Sequence, residues 1–337
     1  MRPPVAALIA RARRLFAVLA ALVAGLLSAV ESPASNVGSV PVIGVLTVES
    51  PVLHAELDAF LVGLRDFGYV DGRNIVVEVR AAAYQLDRLP SMAAELVSRK
   101  VAVIVALQPP SVTAAITATR TIPIVMRVSA DPAKAGYVRS LARPGGNVTG
   151  VTSFSGNLYS KRLELIKELV PSTYLIAVLG NPDSPTTDAY MNETRAGASK
   201  LGLKLLPLEL RNAAELPRAF AAASAARAAA VLPLRDPLMV GNRSEIAALA
   251  ALYRLPAIYD ERAFTEAGGL ISYGADLNAL HRRCAYYVDR ILRGASVSEL
   301  PVEGPRKFEI VVNMKAARAI NLKVPRSILS IADQVIE

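Results

Sequence analysis

The chain has 337 residues, 53% of them hydrophobic and 20% charged, which is enough apolar sequence for two domain-sized cores and rules out a disordered or coiled-coil protein. Its net charge of +9 is scattered in pairs such as Arg282-Arg283 and Arg306-Lys307, with few aromatics among them, so it reads as a solvated basic surface and not as a nucleic-acid face. One cysteine, Cys284, excludes an internal disulfide and a Cys-based zinc site, and its helical setting beside Tyr287 and Ile291 marks a core thiol.

The first 14 residues are basic and carry no acid. Residues 15–30 are almost purely apolar, and Glu31, Pro33 and small residues come next. That order is the pattern of a secretory leader. The run of about 16 residues is short of the roughly 20 that a membrane span needs. The expectation is a cleaved signal over residues 1–35, and a periplasmic location for the mature chain.

The body alternates strand and helix. VIGVLT (42–47) is a β-branched run, and residues 55–67 continue with helical spacing until Gly68 stops them. Residues 74–79 form a second strand, 89–98 a helix and 101–107 a buried strand. Residues 111–119 form a helix, with strands at 122–128 and 148–153. Strands alternating with helices of this length imply parallel βαβ units. The order then recurs. Ile43-Gly44-Val45-Leu46 is echoed by Ile176-Ala177-Val178-Leu179, 133 positions on, and Pro123 by Pro256 at the same offset. Leu89-Pro90 is echoed by Leu216-Pro217. The fold predicted is α/β, with two doubly wound parallel-sheet lobes joined by a multi-strand hinge. Residues 41–154 plus 277–301 are assigned to the first lobe and 155–276 plus 302–337 to the second. The chain is expected to cross between them near 153–157, 274–278 and 301–307.

Ligands of such sheets sit beyond the carboxyl ends of the strands. In the first lobe these ends are 48–54, 108–111 and 129–132. In the second they are 181–187, 235–237 and 259–260. All are polar and turn-rich. No nucleophile elbow, phosphate loop or histidine cluster accompanies them, so no catalytic residue, metal or cofactor is predicted.

Several segments carry a family likeness: RPGGNVTG (143–150), IAVLGNP (176–182), LPAIYDERAFTEAGGLISYG (255–274) and LPVEGPRKFEIVVNMKAARAINLKVP (300–325). From Pro41 to Glu337 the chain closely resembles the substrate-binding proteins of ABC transporters, the periplasmic solute-binding proteins of type I fold and of tryptophan/tyrosine type. The resemblance implies an extracytoplasmic receptor; the chain is also expected to be a monomer and, for want of a catalytic constellation, not an enzyme. It would capture a small solute, an amino acid or a related compound, and deliver it to a membrane permease, with no nucleic-acid partner. A ligand sensor signalling to a membrane receptor is the alternative reading, and an enzyme on the same fold comes after it. Ser129-Ala130-Asp131-Pro132, Asn181-Pro182 and Asp236-Pro237 match the family pattern. Gln108-Pro109-Pro110 departs from it, because the family's small residue and hydroxyl are missing there.

The candidate ligand-binding residues are Glu49, Ser50, Gln108, Ser111, Asp131, Asn181, Asp236 and Tyr259. Ser111 is expected to open a helix whose N–H groups could face a carboxylate. Asp131 and Asp236 are acceptors for an amino group, or turn residues. Asn181 is a turn residue or a contact. Tyr259 could stack on an apolar solute, while His54 and His281 are expected at the surface.

Overall fold

The computed structural model describes residues 40–50, 55–154 and 158–337. The expected leader, His54 and most of the first predicted crossing lie outside the described residues.

The first lobe is a parallel sheet built from β1 (Val42–Thr47), β2 (Val76–Ala81), β3 (Val103–Leu107), β4 (Ile124–Val128) and β5 (Val148–Thr152), in the order β2-β1-β3-β4-β5. Helices α1 (Ala55–Asp66), α2 (Leu89–Ser98) and α3 (Pro109–Ala118) connect the first four strands. Every residue of β3, β4 and β5 is buried, Arg127, Thr149 and Thr152 included, and β3 accordingly reads as an unbroken apolar run. Side chains still alternate. Val103, Val105 and Leu107 join the core with Phe60 and Leu64 of α1, and Ile104 and Ala106 join the core with Leu96 of α2 on the other face.

The second lobe repeats the winding. After α4 (Leu158–Leu169) come β6 (Leu175–Gly180), α5 (Thr187–Lys200), β7 (Lys204–Glu209), α6 (Leu216–Ala225) and β8 (Ala230–Pro233). Next are α7 (Pro237–Gly241), α8 (Arg243–Leu252), β9 (Ile258–Tyr259), α9 (Arg262–Glu266) and β10 (Ile271–Ala275). The strands β7-β6-β8 pair in parallel, and a bridge between Val231 and Ala257 continues the sheet to β9 and β10. The resulting order, second-first-third-fourth-fifth, is that of the first lobe.

Helix α10 (Leu277–Leu292) then returns to pack along α1. The approach is close because Gly63 has no side chain: a Cβ there would lie 2.8 Å from the Arg282 carbonyl oxygen. Tyr287, Val288, Cys284 and Leu280 form the buried stripe. His281, expected at the surface, is fully buried on the same stripe. Its Nδ1 lies 2.7 Å from the Leu277 carbonyl oxygen, and its Nε2 accepts from Arg127 Nε at 3.2 Å. One turn from both Leu277 and Cys284, the ring faces the sheet while Arg282 points outward. The chain then passes back to the second sheet, where β11 (Phe308–Asn313) pairs antiparallel to β10. After α11 (Met314–Ala319) and α12 (Arg326–Ser330), β12 (Gln334–Ile336) pairs parallel to β11.

Two of the passages between the sheets run beside a neighbouring strand. Thr152 and Glu303 are tied by backbone bonds, Thr152 N–H to the Glu303 carbonyl (2.9 Å) and Glu303 N–H to the Gly150 carbonyl (3.1 Å), and Asp276 N–H donates to the Lys307 carbonyl. Glu303 is gripped by Arg283 through two bonds of 3.1 and 2.6 Å and by Arg306 at 3.0 Å. Partial burial alone would raise the Glu303 carboxyl, but Arg283 outweighs it and holds the group below its usual 4.5. A carboxyl lowered on folding lends stability above its unfolded pKa and withdraws it as pH falls. The gap in stability between wild type and Glu303→Gln is therefore expected to be full above pH 4.5 and to shrink below it. A gap that does not change with pH in urea titrations would show that Glu303 contributes nothing through its charge.

Candidate functional site

A cavity of about 480 Å³ lies between the lobes, at the carboxyl ends of both sheets. The first lobe lends Val48 and Glu49 after β1, Tyr84 after β2, Gln108 to Pro110 after β3 and Ser129 after β4. The second lends residues 181 and 183–186 after β6, Arg211 after β7 and Arg235 to Asp236 after β8, with parts of α7. A second space of about 1100 Å³ opens on the other side of Pro109, Pro185 and Thr186 and is bordered by Asp131, Tyr137 and Tyr190.

Gln108 is the most constrained wall residue. Its backbone sits at φ 70° and ψ 152°, a region populated almost only by glycine. Pro109 enforces the extended ψ. Three side-chain bonds hold the strain: the amide oxygen accepts from Thr47 Oγ1 and Val48 N–H, each at 3.2 Å, and Nε2 donates to Glu49 Oε1 at 2.7 Å. Gln108 thus ties the β1 loop to the β3 loop and positions Glu49.

Tyr84 comes after Ala83, and both adopt left-handed backbone, at φ 65° and 50°. That double reversal carries the ring across to the second lobe, where it lies against Gly241: a Cβ there would be 3.2 Å from the ring. Burial, then the Glu49 charge, pushes the Tyr84 phenol up to about 12.

In the opposite wall, Arg235 Nη1 donates to Asp260 Oδ2 at 2.6 Å and to Glu261 Oε2 at 2.7 Å, with the guanidinium side chain only 12% exposed. Burial by itself would lower this cation, and the carboxylates of Glu261 and Asp260 more than reverse that, so it stays protonated well above its usual range. Next to it, Asp236 is 5% exposed and caps α7, its Oδ1 accepting from Leu238 N–H at 2.8 Å and from Asn181 Nδ2 at 3.3 Å. Burial raises its carboxyl above the ordinary range.

One buried side-chain bond joins the lobes here. Tyr190, on α5, donates through its hydroxyl to the Ser129 carbonyl at the end of β4, at 2.7 Å. Its ring leans on Tyr159 at 5.1 Å, and Tyr159 in turn accepts from Arg235 N–H at 2.8 Å.

Of the residues singled out from the sequence, Glu49, Gln108, Asn181 and Asp236 meet on this cavity wall. Ser50 is half-buried and off it. Ser111 is fully buried behind the wall and does not open its helix: α3 begins at Pro109, so Ser111 is the third residue. Asp131 borders the second space and accepts from the N–H groups of Ala133 and Lys134, the turn role. Tyr259 is a correction as well. It is 1% exposed and stacks on Phe264 at 4.6 Å, because its side of β9 turns into the core. Sequence reasoning missed Arg235, Tyr84 and Tyr190. Arg235 stood in plain view beside Asp236, but its acid partners at 260 and 261 come after a different strand.

The family model described as ABC transporter substrate binding protein matches residues 39–336. A tyrosine-binding protein of Clostridioides difficile is 29% identical over 276 residues, 82% of this chain and 79% of that protein. The crystal structure of an ABC domain in complex with L-Trp from Streptococcus pneumonia is similar at a TM-score of 0.82 and 26% identity, covering 88% of this chain and 100% of the other. The ligand-free, open structure of a substrate binding protein with adhesive properties from Clostridium difficile gives 0.68 at 28% identity, over 88% and 99%. With its two doubly wound lobes and a family match over almost the whole described length, the chain belongs to the ABC transporter substrate-binding protein family.

Proposed function

We propose that this protein is the extracytoplasmic solute-binding component of an ABC importer, exported by its N-terminal leader, and that it captures a small solute, an amino acid or a related compound, by closing its lobes. The observation that carries the reading is the cavity of about 480 Å³ walled by strand ends of both lobes, with Glu49, Gln108, Asn181 and Asp236 on its surface. A solute touching both walls favours whichever lobe arrangement brings them together. The comparisons support a closed arrangement: at nearly equal identity, this chain is more similar to the tryptophan-bound structure than to the ligand-free open one. Two of the strand ends, at Glu49 and Asp236, supply carboxylates for an ammonium group. The closed lobes would present a joint rim to a permease.

Isothermal titration of the mature protein against amino acids and their derivatives tests the reading, and the absence of saturable binding across the series would end it. The Tyr190 hydroxyl is the interlobe latch. Tyr190→Phe removes one buried bond and strands the Ser129 carbonyl, in the closed state alone. Solute affinity is expected to fall about tenfold, the equivalent of ~1.4 kcal/mol. Small-angle scattering should show the solute-free variant more extended than wild type. Equal affinity and equal dimensions would remove Tyr190 from the closure.

A further inference from the structure

We propose that Tyr84 and Gly241 form a fitted seam between the lobes, which sets how far they close and, through that, the affinity for solute. Tyr84 is a fixed spacer on the first lobe, and Gly241 leaves the second lobe just enough room to meet it. The inference rests on the reading of this cavity as a solute site that closes, and it adds a determinant of that site's affinity.

The spacer is held firmly. Ala83 and Tyr84 both adopt left-handed backbone. A bulky side chain persists in that region only where its surroundings over-determine it. Here the β1 loop does so: Ala83 N–H donates to the Glu49 carbonyl at 3.3 Å, and Tyr84 N–H to the Val48 carbonyl at 2.7 Å. Gln85 N–H closes the turn on the Ala82 carbonyl at 3.0 Å. The ring packs against the core of the first lobe, and its hydroxyl oxygen is buried. Backbone and ring therefore move with the first lobe.

Gly241, the last residue of α7, moves with the second. Outside its own helix, the three atoms nearest to an added Cβ all belong to Tyr84: Cδ1 at 3.2 Å, Cε1 at 3.3 Å and Cγ at 3.4 Å. That is tighter than ordinary packing, and one side would have to yield by a few tenths of an ångström. The ring is pinned, and α7 is pinned too. Val240 N–H donates to the Asp236 carbonyl at 3.0 Å, and the Asn242 N–H and Nδ2 both donate to the Leu238 carbonyl. The remaining freedom is the separation of the lobes. Within its own lobe an alanine at 241 is acceptable, because the position is not left-handed and alanine favours helix more than glycine does. The same methyl is thus harmless to the lobe that carries it and harmful to the closed state. Both residues line the cavity, so a seam held apart widens the gap that a solute must span.

The test compares the mature wild type with Gly241→Ala, Tyr84→Ala and the double variant. The probes are L-tyrosine, L-tryptophan and L-phenylalanine in isothermal titration. Gly241→Ala is expected to weaken binding about fivefold or more, the effect of mild overpacking. The solute-free variant should be more extended than wild type in small-angle scattering, with a urea midpoint no lower. Tyr84→Ala removes the ring that the methyl meets. In that background Gly241→Ala should change affinity by less than about twofold, the margin for uncoupled sites. Wild-type affinity and dimensions in Gly241→Ala overturn the inference. A loss undiminished in the Tyr84→Ala background also overturns it, because the methyl then acts elsewhere. So does a lowered urea midpoint, which makes Gly241 a structural glycine of its own lobe. If wild type binds none of the probes, the reading of the cavity falls, and the scattering comparison alone decides the seam.

Discussion

Arg235→Met is expected to destabilise the protein by about 3–5 kcal/mol, the range seen when one partner of a buried ion pair is removed. Methionine matches the length of the arginine stem, so little packing volume changes. What changes is charge. Asp260 and Glu261 each lie within 2.7 Å of the same guanidinium nitrogen, and their side chains are 7% and 5% exposed. Without Arg235 two carboxylates face each other out of water. A control comes from the same three residues. Replacing all of them, Arg235→Met with Asp260→Asn and Glu261→Gln, removes the unpaired charges together, and stability should return most of the way to wild type. Urea unfolding with linear extrapolation reads both variants. If the triple variant is no more stable than the single one, Arg235 acts by packing and the electrostatic account fails.

A methyl group at Gly150 should be as damaging, for a steric reason. Gly150 lies in β5 opposite Met126 of β4, with φ 134°. A Cβ there would fall 2.1 Å from the Met126 carbonyl oxygen and 2.6 Å from its nitrogen. Both are backbone atoms of a fully buried strand, so no side chain can swing aside. The backbone strain and the overpacking each amount to roughly 1–3 kcal/mol, and Gly150→Ala is expected to lose about 3–5 kcal/mol. Gly146 gives the comparison. It lies four residues away, outside the positive-φ set, with nothing within 4 Å of an added Cβ. Gly146→Ala should stay within about 0.5 kcal/mol of wild type. Equal urea midpoints for the two variants would refute the close approach at Gly150.

These residues also show what the sequence could reveal. The strands were legible because their apolar runs are short, β-branched and bounded by turn residues, and the echo at a fixed offset exposed the two-fold repeat. β1 and α2 fall where the pattern places them. Strand ends were therefore legible as well, and with them Glu49, Gln108, Asn181 and Asp236 on the wall. The direction of a side chain at a strand end was not. Tyr259 and Asp236 both come at the end of an apolar strand, yet one turns into the core and the other into the cavity. Gln108 reads as a polar loop residue, and only its positive φ and three bonds show that its amide is committed within the protein. The Arg235 cluster could not be read because its members come from separate strand ends. His281 could have been found: counting in helical steps from Leu277 to Cys284 places it on the buried stripe, but the two arginines after it give the segment the look of an exposed face.

The return of α10 to α1 bears on how the chain is made. The first sheet is complete by Thr152, yet one face of its core needs Leu280, Cys284, Tyr287 and Val288. The second sheet in turn waits for β11 and β12, at the very end of the sequence. At ribosomal speeds of about 5–20 residues per second, roughly 10–45 s separate the appearance of α1 from that of its partner helix. Through that interval neither half can bury its apolar surface in full. A chain so arranged stays unfinished until synthesis is nearly over, and an unfinished chain is the form that can be threaded through a narrow pore or held by a chaperone. The long-range pairing of α1 with α10 therefore acts as a timer on folding, set by the spacing of two helices along the gene product.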